Sequence, residues 1–530
     1  MAEPWETTDL VIGWRVTKAL EPQHWDNPDA KPGGHKLANV VTAEPKSMAC
    51  HTVIVAQSGS GKSFFLGRVL EEILLKTRGR MLILDPNSDF RKVAQAKPEE
   101  WWSDPNKYRY SRNDGKGFLA DERTRGEFVS EWRKISKIVY TQRKEKEATP
   151  SATATPAVDA SDKPKFAELL LDWLKLPIDL LLEEAADERR DELRHCHSLV
   201  YILAQLADLT DNKEWLEEGQ FLKKAQAFCD ETDPDDENKT IDLLKQTFGP
   251  VKATNTQSII RDRNGKLFVQ LPARFPTLSE LFLKKKEVPI EEFAAIYERA
   301  ATFRGFVQEQ AKLFYFARAF EIQKSGLIAR RVKDSFVPDT HRVQIVDLPS
   351  VSDSRHQKMV VSTFIESEWT RARSLWNEAL DEPPENDVRV PTFIVVEEAH
   401  NVIPAEVETL AEKKLREQFR RIAAEGRKYG MFLILVSQRP DKLDRMVMSE
   451  CENRALMKVG SSLVLRTTCR VLGLDSVIPK MTEKVLDFDL GRALLVGPWV
   501  AGDPTFLVSA ARRTEEGGRN LRSEYWAKKP

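Results

Sequence analysis

Lys62 and Ser63 end the run VIVAQSGSGKS at residues 53–63, and the apolar stretch FFLGRVLEEILL follows directly. A buried-strand run that turns through a glycine-bearing loop into a helix is the setting in which backbone N–H groups wrap a triphosphate. Ser58, Gly59, Ser60 and Gly61 supply that loop, and the helix N-terminus adds partial positive charge. Gly59 and Gly61 let the backbone close on phosphate without a Cβ in the way. Lys62 then serves as a point charge for the β and γ oxygens, and Ser63 offers a hydroxyl to Mg²⁺. The first loop position is Ala56 where the strict pattern has glycine; the competing reading is an ordinary strand-to-helix turn with a surface lysine.

A second centre lies at residues 391–400, PTFIVVEEAH. Four apolar strand residues, 393–396, deliver Glu397 and Glu398 to a sheet edge. There Glu397 suits the Mg²⁺ shell and Glu398 suits polarisation of an attacking water. Two adjacent acids after a buried run are costly to bury without a cation. The later strand MFLILVSQRP ends at Gln438, which reads either as a sensor of the γ-phosphate and lytic water or as a turn cap before Pro440. Arg427, in EGRKYG, closes a helix dense in Arg and Lys. It reads equally as an arginine finger for a neighbouring subunit's nucleotide and as a cation suited to the helix dipole. Asp85 ends the run RMLILD, close to the nucleotide or a catalytic water, or else opening a turn before Pro86.

These residues must be held by an α/β core. The apolar runs at 53–55, 80–85, 342–348 and 393–396 read as buried strands of a mainly parallel sheet, and the helix between the first two strands implies a right-handed crossover. Residues 350–353 read as a start signal for a long helix through Trp376, and a basic helix spans about 405–428. LGRALLVGPW and PTFLVSAARR read as a closing hairpin. The expected division is an arm or cover at 1–50 with one strand at 10–16, a core at 51–95 and 340–510, an inserted helical domain at 96–339, and a polar tail at 511–530. Within the insertion, 144–165 reads as a disordered loop and 230–237 as a solvated acidic loop. FAELLLDWL, IDLLLEEAA, LVYILAQLADL and LKKAQAF read as amphipathic helices, as do stretches near 278–283 and 290–323. His195, Cys196 and His197 are adjacent on a helix, point in different directions, and make a poor metal set.

The 530 residues allow two to four domains, and 41% hydrophobic content fills a large core. Lys and Arg number 81 against 82 Asp and Glu, which excludes a globally basic nucleic-acid coat and leaves local patches or a channel between subunits. Five cysteines without a CxxC pair argue for a reducing compartment and against a zinc ribbon. No stretch approaches a membrane span and the N-terminus lacks a signal pattern, so the expectation is a soluble cytoplasmic protein.

With these residues in place, the chain resembles the HerA/FtsK superfamily of P-loop motors, on its HerA side. The likeness lies in AQSGSGKS, LILDPNSDF, VDLPSVSD before a long helix, IVVEEAHNVIP, EGRKYGMFLILVSQRP and LGRALLVG, in matching order, over residues 50–95 and 340–510. The resemblance implies a RecA-like P-loop NTPase core that assembles as a homohexameric ring, hydrolyses ATP with Mg²⁺ between subunits and moves double-stranded DNA. It implies Lys62 and Ser63 as nucleotide and Mg²⁺ ligands, Glu397 and Glu398 as the Walker B pair, Gln438 as sensor and Arg427 as a finger donated in trans. It lapses at residues 1–50, where relatives carry a small β-barrel. A DNA translocase or helicase working with a nuclease is one expected function. An ATPase ring that carries and controls an antiphage effector, a nuclease or NAD-consuming enzyme, is another. A VirB4-like secretion or conjugation ATPase is the third.

Overall fold

Apolar runs that end in an acid form neighbouring parallel strands, and those strands set the architecture of the computed structural model. The structure describes residues 9–15, 40–103, 125–143, 164–172, most of 193–248, short pieces at 251–252, 259–261, 267–269 and 287–288, residues 309–329, 341–474 apart from loop positions near 381–388, and 483–517 apart from 489. Two compact units result, one from Met1–Leu169 with Val337–Pro530 and the other from Leu170–Phe336.

The first unit is built on a 12-stranded sheet. In chain order its strands are β1 (Leu10–Arg15), β2 (Val40–Ala43), β3 (His51–Val55), β4 (Arg80–Asp85), β5 (Lys137–Thr141) and β6 (Lys165–Glu168), then β7 (Val343–Asp347), β8 (Thr392–Val396), β9 (Met431–Ser437), β10 (Cys451–Met457), β11 (Arg492–Val496) and β12 (Thr505–Ser509). Across the sheet the order is β2, β1, β12, β11, β10, β3, β9, β8, β4, β7, β5, β6. From β10 to β6 every pairing is parallel; from β10 outward to β2 every pairing is antiparallel. The central strands β3, β4, β7, β8 and β9 are buried at every position, the pattern of a sheet covered on both faces.

Three helices matter for the site: α1 (Lys62–Lys76), α2 (Ser354–Ala379) and α3 (Leu410–Glu425). The Asp353 carboxylate caps α2 by accepting from the Arg355 and His356 N–H groups. Thr409 and Glu412 form a reciprocal capping box on α3, so that helix starts at 410 rather than 405; a separate turn, Gly426–Tyr429, follows its end.

Four expectations need correction. Residues 10–15 and 40–43 are not a separate arm; they continue the sheet, with β1 paired to β12 and β2 to β1. The inserted domain does not start at 96. Residues up to Leu169 belong to the first unit, where β5 pairs with β7, and Phe128 and Trp132 join Phe90 and Val139 in the core. The FAELLL run does not start a helix: β6 covers 165–168 because β5 offers its edge in register, Ile138 opposite Lys165 through Thr141 opposite Glu168. Too few residues show there for period to separate strand from helix. Finally, residues 511–514 are not a solvated tail: Arg512, Arg513 and Thr514 are completely buried.

The second unit holds helices Phe221–Glu231, Glu237–Phe248 and Glu309–Lys324, with Trp215 packed against Phe221, Phe228 and Phe248. Helices occupy Glu231 and Glu237 at the two ends of the expected acidic loop, and residues 232–236 between them lie outside the described residues. So do nearly all of the loop at 144–165, the IDLLLEEAA run, His195 and the stretch at 278–283. The His197 Nδ1 lies 2.9 Å from the Tyr315 hydroxyl, and no group of three or more His, Cys, Asp or Glu side chains arranged to hold a metal ion occurs among the described residues. None of the described helices is long and apolar enough to cross a membrane.

Candidate active site

The loop between β3 and α1 is fixed from behind. Gly61, at φ 89, caps α1 in the left-handed region, and a Cβ there would lie 2.9 Å from the Gly491 nitrogen. That nitrogen donates to the Ser60 carbonyl at 2.9 Å, so the turn into β11 braces the loop. Glycine is thus required at 61 both for its backbone and for the close approach. Gly59 also has positive φ, at 75. Ser58 and Gly59 are exposed, whereas Ser60 and Lys62 are buried. Ala56 is fully buried and donates its N–H to the Ser437 carbonyl at 3.2 Å, which ties the loop's first residue to the end of β9.

Parallel register brings the acids to the same edge. Val396 of β8 pairs with Leu84 of β4, and Asp347 of β7 pairs with Asp85, so Glu397, Asp85 and Asp347 end three adjacent strands. Lys62 Nζ forms an ion pair with Glu398 Oε1, and Gln438 Nε2 donates to the same oxygen. Ser63 Oγ lies 2.9 Å from Asp89 Oδ2 and 3.5 Å from Glu397 Oε1. His400 Nδ1 sits 3.7 Å from Glu398 Oε2 and 3.1 Å from Ser437 Oγ. Glu398 itself adopts φ 45, a backbone state costing a non-glycine residue roughly 1–3 kcal/mol, which tight surroundings must hold in place.

Lys62, Ser63, Glu397, Glu398 and Gln438 therefore meet at one rim. Arg427 does not join them: it precedes β9 whereas Gln438 follows it, and its guanidinium pairs with Glu452 at the opposite edge of the sheet. Asp85 is not aimed at the loop. Its carboxylate accepts from the N–H groups of Asn87, Asp89 and Phe90, so it is the turn-forming acid, and burial raises it to about 6 against those three donors.

That turn delivers Asp89, which the sequence reading passed over. Its neighbour Ser88, at φ 61, gives its hydroxyl to the fully buried Asp347 at 2.7 Å, and Thr141 gives its own to the other Asp347 oxygen at 2.7 Å. The available signal was DPNSDF itself, two acids bracketing a short turn at a strand end. His400 was likewise legible only as a polar residue after the acid pair.

The donors fit a divalent cation. Ser63, Asp89 and Glu397 are hard oxygen ligands gathered around one hydroxyl, and Glu397 Oε2 is buried without a hydrogen-bond partner among the described residues. Burial pushes the Glu397 carboxyl up to about 8; Asp85, Asp89 and Glu398 push the same way, against the pull of Lys62. Positive charge at this point would relieve that crowding of acids.

A family model described as "Helicase HerA, central domain" matches residues 41–129. The DNA double-strand break repair helicase HerA of Sulfolobus acidocaldarius is 32% identical over 117 residues, 21% of this chain and 22% of the relative. The protein of the same name from Pyrococcus furiosus is 27% identical over 222 residues, 38% of this chain and 37% of the relative. The matched stretches thus span about a fifth to under two-fifths of these relatives' length. Among solved structures, VirB4 of Thermoanaerobacter pseudethanolicus aligns over 97% of both chains at 13% identity and a TM-score of 0.38, too loose a likeness to bear on function.

Proposed function

We propose that this HerA-like P-loop chain hydrolyses ATP with Mg²⁺ between the subunits of a homohexameric ring and uses the turnover to move double-stranded DNA, beside a nuclease or other effector protein. The observation that carries the reading is the convergence of Lys62, Ser63, Glu397, Glu398 and Gln438 at the carboxyl rim of the parallel part of one sheet. The likeness of residues 41–129 to the HerA central domain supports it. Five buried cysteines, none of them in a disulfide, suit a reducing compartment, and the cytoplasm is the proposed location.

Bound Mg²⁺ would neutralise phosphate charge, with Ser63, Glu397 and Asp89 as the residues to hold it. Lys62 exchanges its carboxylate partner for phosphate oxygens, and the loop N–H groups fix the phosphates in place. Glu398, released from Lys62, accepts the proton of the attacking water, which Gln438 orients. Arg427, on the far edge of its own sheet, serves the nucleotide of the next subunit.

The test is steady-state ATP turnover with and without linear duplex DNA, alongside strand translocation and mass measurement of Glu398→Gln protein held with ATP. Severalfold stimulation by DNA, a hexameric mass and DNA binding without movement in the variant are expected. Absence of ATP turnover under all these conditions would overturn the reading. Turnover indifferent to DNA would leave the ATPase standing and assign the ring to carrying an effector.

A further inference from the structure

Behind the site, one buried guanidinium touches the backbone of two of the three segments that supply its oxygens. Arg512 is completely buried. One of its terminal nitrogens donates to the Ser63 carbonyl at 3.3 Å, and the other to the carbonyls of Asp89 at 3.4 Å and Glu515 at 3.1 Å. Its Nε donates to Thr514 Oγ1 at 3.1 Å, and the group lies 4.9 Å from the centre of the Phe90 ring. Its partners among the described residues are carbonyls, a hydroxyl and a ring rather than a carboxylate. A buried cation without a carboxylate is expensive to keep, and what this one supplies is geometry.

The segment that carries it is firmly seated. Arg513 N–H, Thr514 N–H and Thr514 Oγ1 all donate to the Glu71 carboxylate of α1, and the Arg513 guanidinium pairs with Glu72 at 3.0 Å. Gly517 N–H adds a second donor to the Asp89 carbonyl at 3.0 Å. Gly67 leaves room on α1 for the Arg512 stem: a Cβ there would lie 2.3 Å from Arg512 Cδ.

We propose that Arg512 is a positioning residue for the cation site, a bracket that fixes the spacing of Ser63 and Asp89 from behind, so that residues 511–517 set how tightly the site holds a divalent ion. The proposal rests on the reading of Ser63 and Asp89 as cation ligands. A planar fork can hold two carbonyls from separate segments at once, whereas a lysine ammonium in the same space reaches one or the other. Loss of the bracket loosens the Ser63–Asp89 pair while leaving the loop N–H groups and Lys62 in place.

Arg512→Lys and Gly67→Ala perturb the bracket independently, the first by losing the fork and the second by driving a methyl into the arginine stem. On the full chain, Mn²⁺ affinity is read by electron paramagnetic resonance with a non-hydrolysable ATP analogue bound, and nucleotide affinity by fluorescence in EDTA. Both variants are expected to bind Mn²⁺ about tenfold more weakly, to bind nucleotide in EDTA as wild type does, and to recover turnover at high Mg²⁺. Unchanged Mn²⁺ affinity in a folded variant of either kind, with only the melting temperature lowered, overturns the proposal and leaves Arg512 as packing. Wild-type protein that binds no Mn²⁺ removes the cation reading of Ser63 and Asp89 itself.

Discussion

Lys62 and Glu398, 336 positions apart in the chain, form an ion pair that is nine-tenths buried at the rim of the sheet. On the proposed reading, a triphosphate that takes Lys62 has to draw it away from Glu398. Each partner keeps the other's buried charge compensated until that happens.

Removing the lysine breaks both functions of the pair. Lys62→Ala is expected to lower ATP turnover at least ~10²-fold, through lost phosphate charge, and to leave Glu398 as a buried carboxylate with Gln438 and His400 beside it. Steady-state phosphate release checks this; turnover near wild type would separate Lys62 from the chemistry.

Glu398→Gln keeps the side chain's shape while removing its capacity to take a proton. Nucleotide affinity should stay within a few-fold of wild type, while turnover falls by roughly 10²–10⁴, the range expected for loss of a general base. Single-turnover hydrolysis with parallel binding titrations distinguishes this from a variant that simply fails to load.

Because Arg427 and Gln438 sit at opposite ends of β9, an Arg427 that acts on nucleotide must do so across a subunit boundary. Arg427→Ala should bind ATP normally and lose roughly 10³-fold or more in turnover. Mixing it with Lys62→Ala subunits should restore part of the activity, since some interfaces then pair an intact loop with an intact arginine. Normal turnover in the single variant, or no rescue in the mixture, would restrict Arg427 to its contact with Glu452.

His51 gives a pH signature away from the nucleotide. Its Nδ1 accepts from the Leu433 N–H at 2.9 Å and its Nε2–H donates to the Ala423 carbonyl at 3.0 Å, a pattern only the neutral ring can make. Burial, aided by the Arg427 charge and opposed by that carbonyl and by Glu452, lowers its pKa to about 4. The unfolded chain takes up a proton near 6.5 that the folded chain refuses, so this contribution to stability is full above 6.5 and is lost as pH falls toward 4. The loss from this group is about 2 kcal/mol at pH 5. Urea unfolding at pH 7.5 and 5 measures it, and His51→Gln should flatten the difference.

The loop and the two strand-end acids were legible because their chemistry requires an apolar strand, small residues and charge in a fixed local order, as in 53–63 and 393–398. What was not legible depends on partners distant in sequence. Arg513 looks solvated until Glu71 and Glu72 turn out to be buried on α1, and Arg512 until the carbonyls of Ser63, Asp89 and Glu515 close around it. β5 and β6 are short, and only the open edges of β7 and then of β5 make them strands. Asp85 and Asp89 are equivalent on paper; the fold gives one to three backbone donors and the other to Ser63.

The seating of residues 511–517 also limits where this polypeptide can be cut. A stop placed after Ala510 strips Glu71 of three donors and takes the Arg513 cation away from Glu72, inside the helix that begins at Lys62. Such a shortened chain would carry a buried Glu71 carboxylate stripped of its donors, and its inactivity would say nothing about a role for the residues beyond Gly517.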